Sequence, residues 1–243
     1  MNVIRIAMWS GPRNISSALM RSFENRGDTW VCDEPFYGFY LKASGASHPG
    51  RQEIIDSMVC DPRSVIEMLT KDVSGSLTIN YQKHMTHHLL SAASREWLSN
   101  LKNCFLIRDP VRVISSYAKM RTNFSFEDLG MQQQLDLFNL CADQFGEVPP
   151  VIDAERCLED PETVLTKLCE RLNIGFSSQM LEWPSGPRAS DGVWAKYWYQ
   201  DLNKTKYFSL KHKGNDQPKV EEVYSGVLGK AREIYNELLK YAL

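Results

Sequence analysis

The sequence predicts a three-layer α/β fold built on a central parallel sheet, with a P-loop-like first strand-loop-helix unit. Residues 3–8, VIRIAM, are β-branched and apolar and run into Ser10-Gly11-Pro12, a punctuation that ends a strand. Residues 104–108, CFLIR, run in the same way into Asp109-Pro110. Helical spacing follows each junction, and strands that alternate with helices imply parallel neighbours.

In chain order, the first strand leads into ISSALMRSFENRG, where Ile15, Leu19 and Phe23 recur at helical spacing and Gly27 is placed to cap the C-terminus. TWVCDEP reads as a short second strand, followed by a polar, Gly-containing segment to about Gly50. Helical stretches are expected near 51–71 and 85–99, with a strand at SLTINYQ between them. After CFLIR, Asp109 is a good N-cap and Pro110 suits the first helical position, where its missing N–H costs nothing. Helices are then expected at 126–145, 160–172 and from about Val220 to Tyr241, with a short strand in VPPVIDAER. The stretch 184–218 is rich in Gly, Pro and aromatic residues without a clean period, and reads as an ordered substrate or nucleotide loop of one domain, 1–243.

The 243 residues are 43% hydrophobic and 24% charged, which supports a sizeable core and argues against disorder. Lys and Arg number 28 against 30 Asp and Glu, so an anion site must come from local placement of charge, and a nucleic-acid partner is not expected. No stretch is long and apolar enough for a membrane span or a signal peptide. The six cysteines form no CxxC pair and mostly sit among apolar neighbours, which fits a reducing, cytoplasmic compartment.

Chemistry concentrates at the two junctions. WSGPRNISSAL brings backbone N–H groups at a helix N-terminus together with Arg13, Asn14, Ile15, Ser16 and Ser17, the ingredients of a phosphate or sulfate cradle. It is not a nucleoside-triphosphate loop of the form GxxxxGK[ST], because positions 16 and 17 are both Ser. A plain capped helix after a strand is the alternative reading. LIRDPVRVISSY puts Arg108 at a strand end and Ser116 about two turns into the next helix, where parallel sheets bind ligands. An ion pair of Arg108 with Asp109 or Asp153 is the competing reading there.

Together these residues resemble the sulfotransferases that use 3′-phosphoadenosine 5′-phosphosulfate. Pro12-Arg13-Asn14-Ile15-Ser16-Ser17 is similar to that family's 5′-phosphosulfate loop, and Arg108-Asp109-Pro110 with Ser116 eight residues after the Arg is similar to its 3′-phosphate motif. VIDAERCLEDPETVLTKLCERLNIGF resembles a later family segment, so the likeness covers most of the chain in the right order. Ile15 stands where the family has Gly, which requires the loop to avoid the left-handed conformation there. Arg13 replaces a common Lys, exchanging a point donor for a planar fork. The motif style is nearest to the carbohydrate-type and bacterial branch, and a similar domain occurs fused to aminotransferase-like proteins.

The resemblance implies an acid-base pair of candidates. VCDEPFYGFY is similar to a segment in which a Glu is the general base, and Glu34, beside Pro35 and three aromatics, is placed where partial desolvation raises a carboxylate toward a useful base. A Glu that only caps a turn or pairs with an Arg is the bland alternative. QKHMTHHLL supplies the rival base site in His84, His87 or His88, with Lys83 as a grip on sulfuryl oxygens or a solvated side chain. Zinc is disfavoured, since His84 and His88 lack the Glu of HExxH and a third ligand. Arg188 and Trp194 are similar to the family's late nucleotide-covering loop, and Trp194, Trp198 and Tyr199 are candidates for stacking on adenine, lining an acceptor pocket or forming local core.

The implied activity is in-line sulfuryl transfer from 3′-phosphoadenosine 5′-phosphosulfate to a hydroxyl or amine of a small-molecule acceptor, with no metal and no membrane partner. A P-loop small-molecule kinase and a catalytically silent nucleotide-binding domain remain the alternatives, and homo-oligomer formation stays open.

Overall fold

The structure is a computed structural model describing residues 3–71, 76–121, 123–146, 148–209 and 219–243. Five strands form one parallel sheet: β1 (Ile4–Ser10), β2 (Thr29–Asp33), β3 (Ile79–Met85), β4 (Lys102–Ile107) and β5 (Val151–Asp153), in the order β2-β3-β1-β4-β5. The central strand β1 has β3 on one side and β4 on the other, so the crossovers diverge beyond its C-terminal end. That divergence opens a crevice at the carboxyl edge of the sheet.

Strand side chains alternate between two apolar layers. Ile6, Met8, Tyr81, Leu106 and Ile152 face a core completed by α1 (Ser16–Glu24), α3 (Arg51–Ser57) and α8 (Pro161–Leu172), while Ala7, Trp9, Phe105, Ile107 and Val151 face the layer of α4 (Pro62–Thr70), α5 (Pro110–Ala118), α6 (Met131–Phe145) and α10 (Ser225–Leu239). A further helix, α2 (Tyr37–Ser44), contributes to both layers, with Tyr40 and Leu41 in the first and Phe39 in the second. Helix α2 forms inside the segment expected to be polar, because its aromatics serve two cores and show no single apolar stripe. A short α7 (Ala154–Glu159) leads from β5 into α8.

Capping explains where helices begin. Asp109 accepts from the Val111 N–H at 2.8 Å with Pro110 behind it, as the sequence predicts, and Asp61, Asp153 and Asp160 cap α4, α7 and α8 in the same way. Helix α1 closes at Asn25, earlier than expected, and Gly27 uses φ +83° to turn toward β2. The helix expected over 85–99 does not form. β3 continues to Met85 between two parallel partners, and 3₁₀ turns at Thr86–His88 and Glu96–Asn100 follow. The strand wins because His84 stacks on Trp9, with ring centroids 4.2 Å apart, while Lys83 turns to the opposite face.

The segment after Pro184 carries α9 (Ala195–Trp198) and a 3₁₀ turn at Leu202–Lys204; residues 210–218 of the expected loop lie outside the described residues. We call 184–209 the arm. All six cysteines are free thiols, four of them buried. No helix among the described residues is long and apolar enough to cross a membrane.

Candidate active site

A cleft of about 450 Å³ lies at the carboxyl edge of the sheet. One end is built from the β1–α1 and β4–α5 junctions and the other from α2 and the turn after β3, with the arm lining both.

At the first junction the backbone takes an unusual path. Arg13 has φ +61°, whereas Ile15 stays at φ −90°, so the left-handed residue stands two positions before the one where the resembling family places Gly. A non-glycine residue held there is strained, and such strain persists where neighbours over-determine it. Arg108 donates from Nη1 to the Arg13 carbonyl at 2.9 Å, and the Asn14 amide braces the turn by donating to the Gly11 carbonyl at 3.2 Å. Gly11 is required because a Cβ there would sit 2.5 Å from the Leu129 carbonyl oxygen. No side chain caps the N-terminus of α1, whose residues Ser16 and Ser17 line the cleft, so the dipole and the leading N–H groups are left facing it.

The two junctions are joined side to side. Arg13 donates from Nε to Ser116 Oγ at 2.8 Å. Arg108 pairs with Glu155 at 3.1 Å rather than with Asp109 or Asp153, and Arg112 reaches the same carboxylate at 3.3 Å. Burial and then the neighbouring Arg108 hold the Arg13 guanidinium below its usual pKa, against the pull of Asp201. Two crowded guanidiniums at an uncapped helix N-terminus are a site tuned to an anion.

The opposite end carries the acid-base chemistry. Glu34 follows directly on β2 with φ +44°, a second strained non-glycine backbone, and its N–H still reaches the Lys83 carbonyl at 2.9 Å. Its side chain hydrogen-bonds the Lys83 ammonium through Oε1, while Oε2 lies 3.7 Å from His88 Nδ1. Burial raises the Glu34 pKa, Lys83 lowers it and Asp33 raises it, leaving it above the ordinary value. His88 is sandwiched between Tyr37 and Tyr40, each centroid 4.6 Å away, and burial keeps it neutral, with its pKa far below the usual value. Tyr37 is hydrogen-bonded to His48 Nδ1 at 2.7 Å, and burial pushes His48 down to about 4.

Of the residues singled out from sequence, Arg13 through Ser17, Glu34, Arg108 and Ser116 line this one cleft. Lys83 lies beneath it, fully buried, with its three N–H groups directed at Asp33, Glu34 and Tyr199. His84 faces the other layer against Trp9, and His87 and His88 are the histidines of that motif on the cleft wall. Arg188 lies near the far end of α1, 3.9 Å from Glu24, where Arg21 also grips Asp191 at 2.7 Å. Trp194 is buried in the core against Tyr37, while Trp198 lines the cleft. Sequence reasoning passed over Asp33, Arg112 and Glu155; acidic residues adjoining a base or a motif Arg were the available signal, but only contact gives them a partner.

Comparison with known proteins identifies the architecture. A sulfotransferase domain model matches residues 4–238. The chain belongs to this sulfotransferase family. The family's sequence relatives include branched-chain-amino-acid aminotransferase-like proteins 1 and 2 of Arabidopsis thaliana, 40% and 37% identical to this sulfotransferase-family chain over 212 residues, or 86% of it. The chain spans 37% of the length of each. Among solved structures, the fold is similar to the sulfotransferase domain of the curacin biosynthetic pathway (TM-score 0.56, 18% identity, 100% of this chain and 99% of that one). It is also similar to the sulfotransferase domain of the Synechococcus PCC 7002 olefin synthase, with TM-score 0.58 and 14% identity over 97% of this chain and 95% of that one.

Proposed function

We propose that this chain transfers a sulfuryl group from 3′-phosphoadenosine 5′-phosphosulfate to a hydroxyl or amine of a small-molecule acceptor. The observation that carries the reading is one cleft with cationic junctions at one end and a buried carboxylate at the other. The residues present suit a doubly anionic nucleotide: an uncapped helix N-terminus, Arg13 held below its usual pKa by burial and Arg108, and Ser116 beside it.

Arg13 and residues 14–17 bind the 5′ end of the donor, and Arg108 and Ser116 its 3′-phosphate. When bound, the donor supplies the sulfuryl group together with a nucleotide leaving group. Arg13 and the α1 N-terminus stabilise negative charge as it accumulates in front of the helix. Glu34 orients the acceptor and takes its proton at Oε2, the oxygen not committed to Lys83. Aromatic residues of α2 and the arm, Tyr37 and Trp198 among them, wall off the acceptor end.

Calorimetry separates this reading from a kinase. Adenosine 3′,5′-bisphosphate is expected to bind and to raise the melting temperature, and ATP with Mg²⁺ to do much less. Stronger stabilisation by ATP with Mg²⁺ would put the kinase reading ahead.

A further inference from the structure

The Lys83 ammonium has three N–H groups and three protein acceptors: Asp33 Oδ1 at 2.9 Å, Glu34 Oε1, and the Tyr199 hydroxyl at 2.9 Å. Nothing remains with which to grip a sulfuryl oxygen. The Tyr199 oxygen accepts from Lys83, and its own proton goes to Asp33, whose two oxygens lie 2.9 and 2.8 Å away. One cation thus serves two carboxylates in the interior, and a tyrosine from the arm spreads the surplus charge.

We propose that Tyr199 and Asp33 are positioning residues that act on Glu34 through Lys83, the arm supplying the hydroxyl that divides the ammonium between the two carboxylates. Deleting the tyrosine hydroxyl takes a donor from Asp33 and an acceptor from Lys83. Asp33 then draws the ammonium toward itself, and Glu34 is left less compensated. Neutralising Asp33 does the opposite: a like charge beside Glu34 disappears and Lys83 answers to Glu34 alone.

The other groups facing Glu34 do not supply this control. His88, from the turn after β3, is kept neutral by burial, and His87 is pushed down to about 3. Tyr37, from α2, has its pKa raised by burial and by Glu34 itself, and is tied to His48. His84 faces the opposite layer. The arm carrying Tyr199 is anchored independently: Arg21 holds Asp191 at 2.7 Å, and the Trp183 N–H donates to the Lys206 carbonyl at 2.8 Å. Removing one hydroxyl therefore leaves the arm in place. The consequence for turnover rests on Glu34 being the acceptor base; the coupling itself does not.

The test titrates the ligand-free protein by NMR with ¹³C-labelled carboxyl groups, the Glu34 signal being identified by its loss in Glu34→Gln. Tyr199→Phe is expected to raise the Glu34 midpoint by about one pH unit, and Asp33→Asn to lower it by a similar amount. Shifts of the same sign in both variants, or a midpoint unmoved in both, would overturn the proposal. Should Tyr199→Phe fail to fold, Asp33→Asn decides alone: a lowered midpoint supports the coupling and any other result refutes it. Opposed shifts in a protein whose Glu34→Gln variant keeps full turnover would uphold the coupling and remove Glu34 as the base.

Discussion

Arg13 Nε donates to Ser116 Oγ at 2.8 Å, across 103 positions of sequence, and this bond ties the β1–α1 junction to the β4–α5 junction. The contact makes the two anion-binding loops one unit. Since Arg108 also donates to the Arg13 carbonyl, the strained backbone at Arg13 is held from the second loop.

Ser116→Ala is therefore expected to weaken adenosine 3′,5′-bisphosphate binding twice over, by losing a contact to the nucleotide and by freeing the Arg13 fork. Arg108→Ala should cost about 1–3 kcal/mol of binding, the range for a hydrogen bond to a charged group, and should lower discrimination against adenosine 5′-monophosphate. Calorimetry on the two nucleotides reads both effects. Full affinity and full discrimination in Arg108→Ala would remove Arg108 from the site.

Replacing Glu34 by Gln separates chemistry from binding. Turnover is expected to fall by roughly 10²–10⁴-fold with bisphosphate affinity nearly unchanged, because a general base contributes in that range. His84→Asn and His88→Asn should each cost far less turnover, although His88 lines the cleft while His84 packs on Trp9 in the other layer. The opposite ranking, measured on an acceptor found by screening hydroxyl- and amine-bearing metabolites, would move the base to the histidine motif.

Gly11→Ala tests the fit of the first loop. The new Cβ meets the Leu129 carbonyl at 2.5 Å, a backbone atom with little freedom to yield, so a loss of about 1–3 kcal/mol of stability is expected, with weaker bisphosphate binding. Gly175→Ala, which meets nothing within 4 Å, is the control. Equal melting temperatures for the two variants would contradict the packing.

Acid should destabilise the fold through its buried histidines. Burial pushes His84 and His87 down to about 3, and His88 falls well below its usual value. Their unfolded pKa is about 6.5, so the native state binds fewer protons below that pH. The stability they contribute is present above pH 6.5 and is lost as pH falls, with His84 and His87 each costing about 2 kcal/mol by pH 5. Glu34, whose folded pKa is raised, works in the opposite sense within its own window. Urea midpoints at pH 7.5 and pH 5 measure the net effect, and His84→Gln should flatten the slope by one proton. A pH slope left unchanged by His84→Gln would show that this ring is not buried neutral.

What the sequence determined on its own was everything governed by local chemistry. The apolar run before Ser10-Gly11-Pro12, the Asp109-Pro110 cap and the Asp160 cap specify elements within a few residues of themselves, because propensity and capping act over one turn. The cationic loops were legible for the same reason. Helix α2 and the extension of β3 through Lys83 and His84 were not, since burial on two faces erases the periodicity that marks a strand or helix. Pairings across long separations were beyond local reading altogether: Arg108 with Glu155, Arg13 with Ser116, Lys83 with Asp33, Glu34 and Tyr199. Tertiary structure decided them because a charge taken out of water must find its partner in space, and the partner is whichever group the fold delivers to the same low-dielectric position.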